Sequence, residues 1–377
     1  MDQDAFFIEI QNHFDEALPF VVYRKPNQKK VTALLQEEDE LHTVSDFSES
    51  GFVFAPFDTT TSETILIPQS QSSEMRLDEY VTTQSIEEVV TTSVEAAQGA
   101  KEQHIALVER GINEIENTGL KKVVLSRKQK VNHNYESPVS IFKRLLDTYA
   151  TAFVYCWYHP QVGLWLGATP ETLLSVENRK LYTMSLAGTQ KKEDTLDVSW
   201  GAKEIEEQQL VTDTIVHNLK DIVDNLQVSE THTHQAGTLL HLKTDITAIV
   251  HDSDTKLASI IKALHPTPAV CGLPKLEARD FIIANENYDR SFYTGFLGEL
   301  NIKTEKKRAS KRRNVENLAY GAVKKHTTLY VNLRCMEVDA QGAQLYVGGG
   351  ITASSQPTLE WEETENKLQT IAAVLKR

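Results

Sequence analysis

The sequence predicts an α+β fold built from antiparallel sheets. Apolar, β-branched stretches come mostly in adjacent pairs, and helical stretches lie between these groups. Strands that follow one another directly favour antiparallel pairing, whereas a doubly wound parallel sheet needs a helical crossover after each strand. No internal repeat of roughly 20 to 50 residues is visible. A chain of 377 residues fits one large or two ordinary domains, and its 40% hydrophobic content can build a substantial core.

Local signals place the elements along the chain. A β-branched run predicts a strand, a Ser-Pro pair opens a helix, and a glycine after a periodic stretch ends one. Residues 1–70 predict strands and turns, including the apolar run 5–10, and residues 71–100, rich in Ser, Thr, Gln and Glu, predict an exposed connection. The later predicted elements are, in order, helix 96–117, strand 121–127, helix 137–148, strands 152–158 and 162–167, a hairpin over 173–187, helix 198–224, strands 226–235 and 239–251, helices 254–264 and 275–286, strands 293–302, 327–337 and 343–348, and a last helix through 360–367.

Charge and cysteine usage restrict the class of protein. A net charge of −14 argues against a general nucleic-acid-binding surface. The locally basic stretch 301–326 has no interleaved aromatic residues and predicts a solvated hairpin loop, although a nucleic-acid or membrane patch stays an alternative. Cys156, Cys271 and Cys335 are far apart and form no CxxC pair, which predicts buried, reduced thiols in the cytoplasm. The N-terminus lacks a basic leader, and no apolar run reaches the ~20 residues of a membrane span. We therefore expect no nucleic-acid, membrane or obligatory protein partner.

The last helix carries an acidic row beside its apolar stripe. Glu360, Glu363 and Lys367 are spaced i, i+3, i+7, so they share one helical face. That face borders the stripe and does not oppose it, and acids at the rim of a core are costly unless they are paired or bound to a cation. A solvated flank with a Glu363–Lys367 ion pair explains the row equally well on this helix alone.

A second helix repeats the pattern. Glu204 and Glu207 have the same i, i+3 spacing and are continuous with the apolar stripe of the helix predicted over 198–224. Four carboxylates that face one another repel unless a cation or protons intervene. Mg²⁺ suits such a set, because it takes oxygen ligands and few direct protein carboxylates. An ion-pair network with Lys203 or Lys367 is the alternative.

Several short motifs occur in one fixed order between about 120 and 377. They are KVVLSR at 122–127, GATPE at 167–171, LAGT at 186–189, the helix start at 203–207, HPTPAVCG at 265–272, DRSFYTG at 289–295, NLR at 332–334, and GGGI at 348–351 followed by the last helix. In these motifs the chain resembles the chorismate-utilising enzymes, a family that includes isochorismate synthase, salicylate synthase and the large subunit of anthranilate synthase. The resemblance implies a single large unit of packed antiparallel sheets with helices outside. It implies a chorismate-binding catalytic region at 116–377, with 1–115 a variable N-terminal part of the same fold.

One motif bears on the branch of the family. Amine-forming members carry a Gly-rich sequence where this chain has His-Pro-Thr-Pro at 265–268, and the form found here is similar to that of isochorismate synthases. The resemblance implies a Mg²⁺-dependent isomerisation of chorismate, in which water adds at C2 and the C4 hydroxyl leaves. Salicylate synthase, which then eliminates pyruvate, and a non-catalytic chorismate-binding relative are the alternatives. Whether menaquinone, siderophore or salicylate synthesis is served stays open.

The resemblance assigns the acid and the base. It implies that Lys122 is the base for the incoming water and Glu171 the acid for the leaving oxygen. Strand alternation cannot choose between Lys121 and Lys122, and the motif position chooses Lys122. A lysine that acts as a base needs a pKa lowered by burial or by positive neighbours, and a glutamic acid that stays protonated near pH 7 needs a raised pKa.

The resemblance also assigns the binding residues. Mg²⁺ would be held by Glu207 and Glu363, with Glu204 and Glu360 alongside through water. The implied substrate contacts are Gly188 and Thr189 along the ring, Tyr293, Arg334 and the backbone of Gly348, Gly349 and Gly350 at the pyruvyl carboxylate, and Lys367 and His265. Many relatives have histidine where this chain has Gln208, so that position receives no role.

Overall fold

Two large antiparallel sheets form the centre of the molecule. The computed structural model describes residues 1–82, 97–132, 137–191, 198–236, 239–250, 255–305 and 323–375. In chain order the elements are α1 (Gln3–Asp15), β1 (Phe20–Arg24), β2 (Val31–Gln36), β3 (His42–Thr43), β4 (Gly51–Ala55), β5 (Ile65–Pro68), β6 (Ser72–Leu77), α2 (Ala100–Asn117), β7 (Lys122–Val131), α3 (Pro138–Thr148), β8 (Phe153–His159), β9 (Gly163–Thr169), β10 (Thr172–Glu177), β11 (Lys180–Lys191), α4 (Ala202–Leu219), β12 (Asp224–Val228), β13 (His232–Ala236), β14 (Leu239–Ile249), α5 (Thr255–Leu264), β15 (Gly272–Leu273), α6 (Lys275–Asn285), β16 (Phe296–Glu305), β17 (Val323–Val331), β18 (Cys335–Asp339), β19 (Gly342–Ile351) and α7 (Pro357–Ala372).

The strand order mixes early and late parts of the chain. Sheet 1 has the order β15-β7-β19-β18-β9-β8-β1-β2-β6, and sheet 2 has the order β12-β14-β11-β10-β17-β16-β4-β5-β3, with β13 added on β14. β1 pairs with β8 in sheet 1, and β4 pairs with β16 in sheet 2. The first 82 residues therefore supply strands to both sheets.

An aromatic layer fills the space between the two sheets. Phe54 of sheet 2 stacks on Phe292 at 4.2 Å between ring centroids and packs on Trp157 of sheet 1. Such rings bury large apolar areas, so this layer contributes much of the hydrophobic stabilisation of the fold. Helices α1, α3 and α7 cover the outer face of sheet 1, and α4 and α5 cover sheet 2.

The predicted α+β architecture of packed antiparallel sheets is confirmed. The apolar run 5–10, however, lies in helix α1 and not in a strand. Phe6, Phe7 and Ile10 are all buried, and their spacing places them on one helical face against β1 and α3. The short apolar pattern of Phe6, Phe7 and Ile10 is compatible with the period of a helix and with that of a strand. This ambiguity explains the wrong prediction.

Other boundaries differ from the predicted ones. Residues 72–77 form β6 on β2, where an exposed connection is predicted, and residues 83–96 lie outside the described part of the chain. The predicted strand 327–337 divides into β17 and β18, because Arg334 between them has a φ of 48° and turns the chain. Within the basic stretch 301–326, the flanking residues belong to the antiparallel pair β16–β17, and residues 306–322 lie outside the described residues.

Two further observations concern the cysteines and the helices. Cys156, Cys271 and Cys335 are buried and unbonded to one another, as the sequence predicts. Among the described residues, no helix has the length and apolar character needed to cross a lipid bilayer.

Candidate active site

A cleft of about 1000 Å³ opens where the two sheets meet helices α4 and α7. We call it the cavity. Its walls come from β7 and β19 of sheet 1, from β11 and β14 of sheet 2, and from the connections before β10, β16 and β18. The motif residues that line it are Glu171, Gly188, Thr189, Glu204, Glu207, Tyr293, Arg334, Gly348, Gly349, Gly350, Glu363 and Lys367. The fold therefore brings together twelve of the fifteen predicted site residues, which lie up to about 200 positions apart in the chain.

The predicted base lies directly behind the cavity wall. Lys122 is the first residue of β7 and is fully buried, whereas Lys121 before it is exposed. The Nζ atom of Lys122 lies 2.8 Å from Oε1 of Glu207. Of the two lysines, Lys122 is therefore the one that reaches the site.

The predicted acid lies on the cavity wall between β9 and β10. Glu171 is buried, with 3% of its surface exposed. Burial raises the pKa of its carboxyl group to about 8, although the charge of Lys122 and the hydroxyl of Thr267 act in the opposite direction. Glu171 is therefore protonated near pH 7 and can donate a proton, as the resemblance requires.

Glycines on β19 make room for the carboxylates of α4 and α7. A Cβ atom on Gly350 would lie 2.6 Å from Oε1 of Glu207, and one on Gly349 would lie 3.5 Å from Glu360 and 3.7 Å from Glu363. These glycines pair with β7 along a regular strand. The triple glycine is therefore an open strand surface and not the flexible turn that such a run usually indicates.

Lysines neutralise three of the four predicted metal-site carboxylates. Besides Lys122 and Glu207, Lys203 lies 2.6 Å from Glu360, and Lys367 lies 2.6 Å from Glu363. In the described part of the chain, no group of three acidic, histidine or cysteine side chains is gathered around one cation position. Lys203 and Lys367, the two lysines that the sequence names as ion-pair partners, are thus paired with these carboxylates.

The same residues nevertheless suit a hard cation. All the donors are carboxylate oxygens, which Mg²⁺ prefers, and the glycine surface leaves space between the two helices. Burial, and then the charge of Glu363, raises the pKa of Glu360 despite Lys203, so negative charge is crowded there. Burial alone would raise the pKa of Glu207, but the charges of Lys122, Lys367 and Lys203 outweigh it and hold that pKa below its ordinary value.

Arg334 provides the cationic side of the opposite wall. It lines the cavity beside Tyr293, whose ring stacks on Tyr346 at 5.4 Å. Nη2 of Arg334 lies 3.1 Å from Nε2 of His241, a residue of β14 to which the sequence assigns no role. A single histidine on a strand such as Leu239–Ile249 is a weak signal, because such a residue is more often a satisfied core histidine.

The structure does not support the predicted substrate contact of His265. Its Nε2 atom lies 3.2 Å from the carbonyl oxygens of both Pro56 and Phe57, and its ring packs edge-on against Phe296. These hydrogen bonds hold the loop after β4. His265 is not among the residues that line the cavity.

Two neighbouring polar residues have structural contacts. Gln208 is buried and donates through Nε2 to Ser185 of β11 and Thr244 of β14, so it fixes α4 on sheet 2. Glu365 of α7 is half-buried and forms an ion pair with Arg127.

Comparisons with known proteins agree with this geometry. Profiles of the family described as chorismate binding enzyme match residues 53–306 and 318–373. The vibriobactin-specific isochorismate synthase of Vibrio cholerae is 27% identical over 381 residues, which cover 97% of this chain and 87% of that protein. Isochorismate synthase DhbC of Bacillus subtilis is 28% identical over 215 residues, 55% of this chain and 49% of that protein.

Solved structures share the fold. A Bacillus anthracis protein described as a 2,3-dihydroxybenzoate-specific isochorismate synthase superposes with a TM-score of 0.77 at 21% identity, covering 98% of this chain and 99% of that one. The menaquinone-specific isochorismate synthase MenF from Escherichia coli superposes with a TM-score of 0.72 at 20% identity, covering 95% of this chain and 89% of that one. The fold of this chain is therefore that of isochorismate synthases of known structure. The chain belongs to the chorismate-binding enzyme family, and the predicted resemblance to its isochorismate synthase branch is confirmed.

Proposed function

We propose that the protein is an isochorismate synthase, which converts chorismate to isochorismate with the help of Mg²⁺. The observation that carries the proposal is the buried Glu171, protonated near pH 7, on the wall of a cavity whose other walls bear Arg334, Lys367 and an acidic cluster. The named isochorismate synthases among the relatives support the same reaction.

The two predicted catalytic residues supply the proton transfers. Lys122, which must first release the proton that it holds in the ion pair with Glu207, takes a proton from water while the water oxygen bonds to C2 of chorismate. The ring double bonds shift, the bond between C4 and its hydroxyl oxygen breaks, and Glu171 donates the proton that lets this oxygen leave as water. One water enters and one leaves, so the reaction is an isomerisation. Glu171 must regain its proton, and Lys122 must lose one, before the next turnover.

The acidic cluster is the proposed metal site. Glu207 and Glu363 would hold Mg²⁺ directly, and Glu204 and Glu360 would hold its water ligands. When bound, the ion neutralises the ring carboxylate of chorismate and fixes its position. Lys122, Lys203 and Lys367 balance the carboxylate charges in the described structure.

The remaining cavity residues bind the substrate. Arg334 and Tyr293 face the pyruvyl carboxylate, together with the backbone of Gly348–Gly350, where missing side chains allow close approach. Gly188 and Thr189 lie along the ring, and Lys367 adds positive charge while it donates to the carbonyl oxygen of Gly348 at 2.9 Å.

Two broader proposals accompany this one. All the cavity residues lie between Val124 and Lys367, which supports a catalytic region at 116–377 with a variable part before it. The three buried, unbonded cysteines support a cytoplasmic location.

The test is incubation of the purified protein with chorismate and Mg²⁺, with products separated by liquid chromatography. We expect isochorismate to accumulate, EDTA to stop the reaction and added Mg²⁺ to restore it. Accumulated salicylate and pyruvate would instead identify a salicylate synthase, the alternative that the names of the relatives do not favour. Binding of chorismate without turnover would identify a non-catalytic relative, and activity that ignores chelation would contradict the metal site.

A further inference from the structure

His241 links the two walls of the cavity through both nitrogens of its ring. Nδ1 lies 3.0 Å from the carbonyl oxygen of Gly188, and Nε2 lies 3.1 Å from Nη2 of Arg334. Only 8% of the residue surface is exposed. The imidazole therefore reaches from Gly188 on β11 of sheet 2 to Arg334 in the connection after β17.

These contacts allow one protonation state of the ring. A carbonyl oxygen can only accept, so Nδ1 must carry the hydrogen that it donates to Gly188. A guanidinium can only donate, so Nε2 must be unprotonated to accept from Arg334. Burial, and then the charges of Arg334 and Lys367, lowers the pKa of His241 to about 3. The ring is therefore neutral wherever the enzyme works, and its Nδ1–H tautomer is set by its neighbours.

Both segments that His241 joins have irregular backbones. Gly188 has a φ of 69° and lies in a register shift of β11, between the pairs Ala187–Leu242 and Gln190–Leu240. Arg334 has a φ of 48° in the connection between β17 and β18. The regular hydrogen bonds between paired strands are interrupted at a bulge or a turn. A side chain that contacts both the Gly188 bulge and the Arg334 turn therefore helps to set the distance between them.

We propose that His241 is a positioning residue, which orients the guanidinium of Arg334 toward the carboxylate of the substrate and holds it against the Gly188 bulge. The inference rests on the proposed function, because it assigns Arg334 to a substrate carboxylate. His241 exchanges no proton in the reaction. Its effect is on how well the enzyme binds chorismate, and less on the rate of the chemical step.

The kinetic test compares three variants. In His241→Ala we expect KM for chorismate to rise about 10- to 100-fold, the effect of losing a hydrogen bond to a charged group, with kcat changed less than about threefold. His241→Gln places an amide oxygen near the Nε2 position and should recover most of the loss. His241→Asn is shorter, reaches only toward Gly188, and should not. A fall in kcat at constant KM, or equal rescue by Asn and Gln, would overturn the proposal.

A double-mutant cycle tests whether His241 acts through Arg334. In the Arg334→Ala background, His241→Ala should raise KM no further, since the group that it positions is absent. Equal effects in both backgrounds would contradict the proposal. His234→Ala is the matched control, because His234 is the cross-strand partner of His241 on β13 but does not line the cavity.

A readout without substrate separates this inference from the proposed function. Nitrogen-15 NMR of the wild-type protein, with the His241 signals identified from their absence in His241→Gln, should show a neutral ring protonated on Nδ1 from pH 5 to pH 8. A ring protonated on Nε2, or one that titrates near pH 6.5, would overturn the positioning role whether or not chorismate is the substrate.

Discussion

Two buried glutamates in this fold have opposite charge states. Glu171 lines the cavity, and burial raises its pKa to about 8. Glu299 on β16 is equally buried, and burial alone would raise its pKa too, but His326 and Lys25 outweigh that effect and lower the pKa to about 2. Both residues lie where the two sheets meet, so burial cannot explain the difference.

The number of donors aimed at each carboxyl group explains it. Glu299 accepts a hydrogen bond from Tyr23 at 2.6 Å, lies 2.7 Å from Nε2 of His326 and forms an ion pair with Lys25. These groups satisfy the carboxylate and join sheet 1 to sheet 2. The charge of Lys122 acts on Glu171 as well, but that lysine is in contact with Glu207. The comparison separates a carboxylate that stabilises the fold from a carboxylic acid that is kept protonated for chemistry.

The largest expected effect is that of Glu171→Gln on turnover. The variant keeps the shape and a neutral group but has no acidic proton, so we expect kcat to fall about 10²- to 10⁴-fold. The free energy of unfolding should rise in the variant. The pKa of Glu171 is higher in the folded than in the unfolded protein, so in the wild type this residue lowers stability at every pH above the unfolded pKa. The gain would be up to about 3 kcal/mol at pH 7. Steady-state kinetics and urea denaturation measure the two effects. Full activity in the variant would remove the catalytic assignment.

The second effect is the loss of stability in Glu299→Gln. A native pKa of about 2 against an ordinary 4.5 corresponds to about 3 kcal/mol, present above pH 4.5 and lost as the pH falls toward 2. We expect the variant to lose about this much in urea denaturation at pH 7, with kcat and KM for chorismate unchanged. Glu206→Gln, on the exposed face of α4, is the control and should change neither. A variant as stable as the wild type would show that the contacts of Glu299 with Tyr23, Lys25 and His326 do not stabilise the fold.

The smallest effect is the pH dependence of the wild-type enzyme. Glu171 must be protonated to act, so its contribution to the pH profile of kcat should be level between about pH 6 and pH 7.5 and should lower kcat about tenfold per unit well above pH 8. The His241→Gln variant should show the same limb, because His241 does not titrate in this range. A limb near pH 5 would mean that Glu171 is ionised in the resting enzyme.

Much of the site could be predicted from the sequence because its motifs fix residue identity. Lys122 and Glu171 occupy motif positions, and the helical spacing of Glu204 with Glu207 and of Glu360 with Glu363 places each pair on one face. Spacing on the last helix also predicts the Glu363–Lys367 ion pair, which the structure contains. The pairs Lys122–Glu207 and Lys203–Glu360 could not be predicted, because they depend on how α4, α7 and β7 approach one another.

Two of the three missed features share a physical cause. The proposed role of His241 depends on a bulge in β11 and a turn before β18 that meet its ring, and neither irregularity leaves a clear pattern in the sequence. His265 is part of a family motif, yet the backbone of the loop after β4 uses its donor. For both histidines a contact between distant segments decides the outcome. Helix α1 was missed for a local reason, because its short apolar run fits the period of a helix as well as that of a strand.

The interleaving of early and late strands has a consequence for synthesis on the ribosome. β4 pairs with β16 through Phe52 and Glu299, and β1 cannot pair with β8 until residue 158 has been made. Each of these strands can pair at once with the strand that follows it in the same sheet, β2 or β5, but its other edge stays unpaired until β8 or β16 has been made. Long-range strand pairing of this kind folds slowly and exposes apolar edges in the meantime. β1 and β4 thus each expose one unpaired edge on the nascent chain until the later strand emerges.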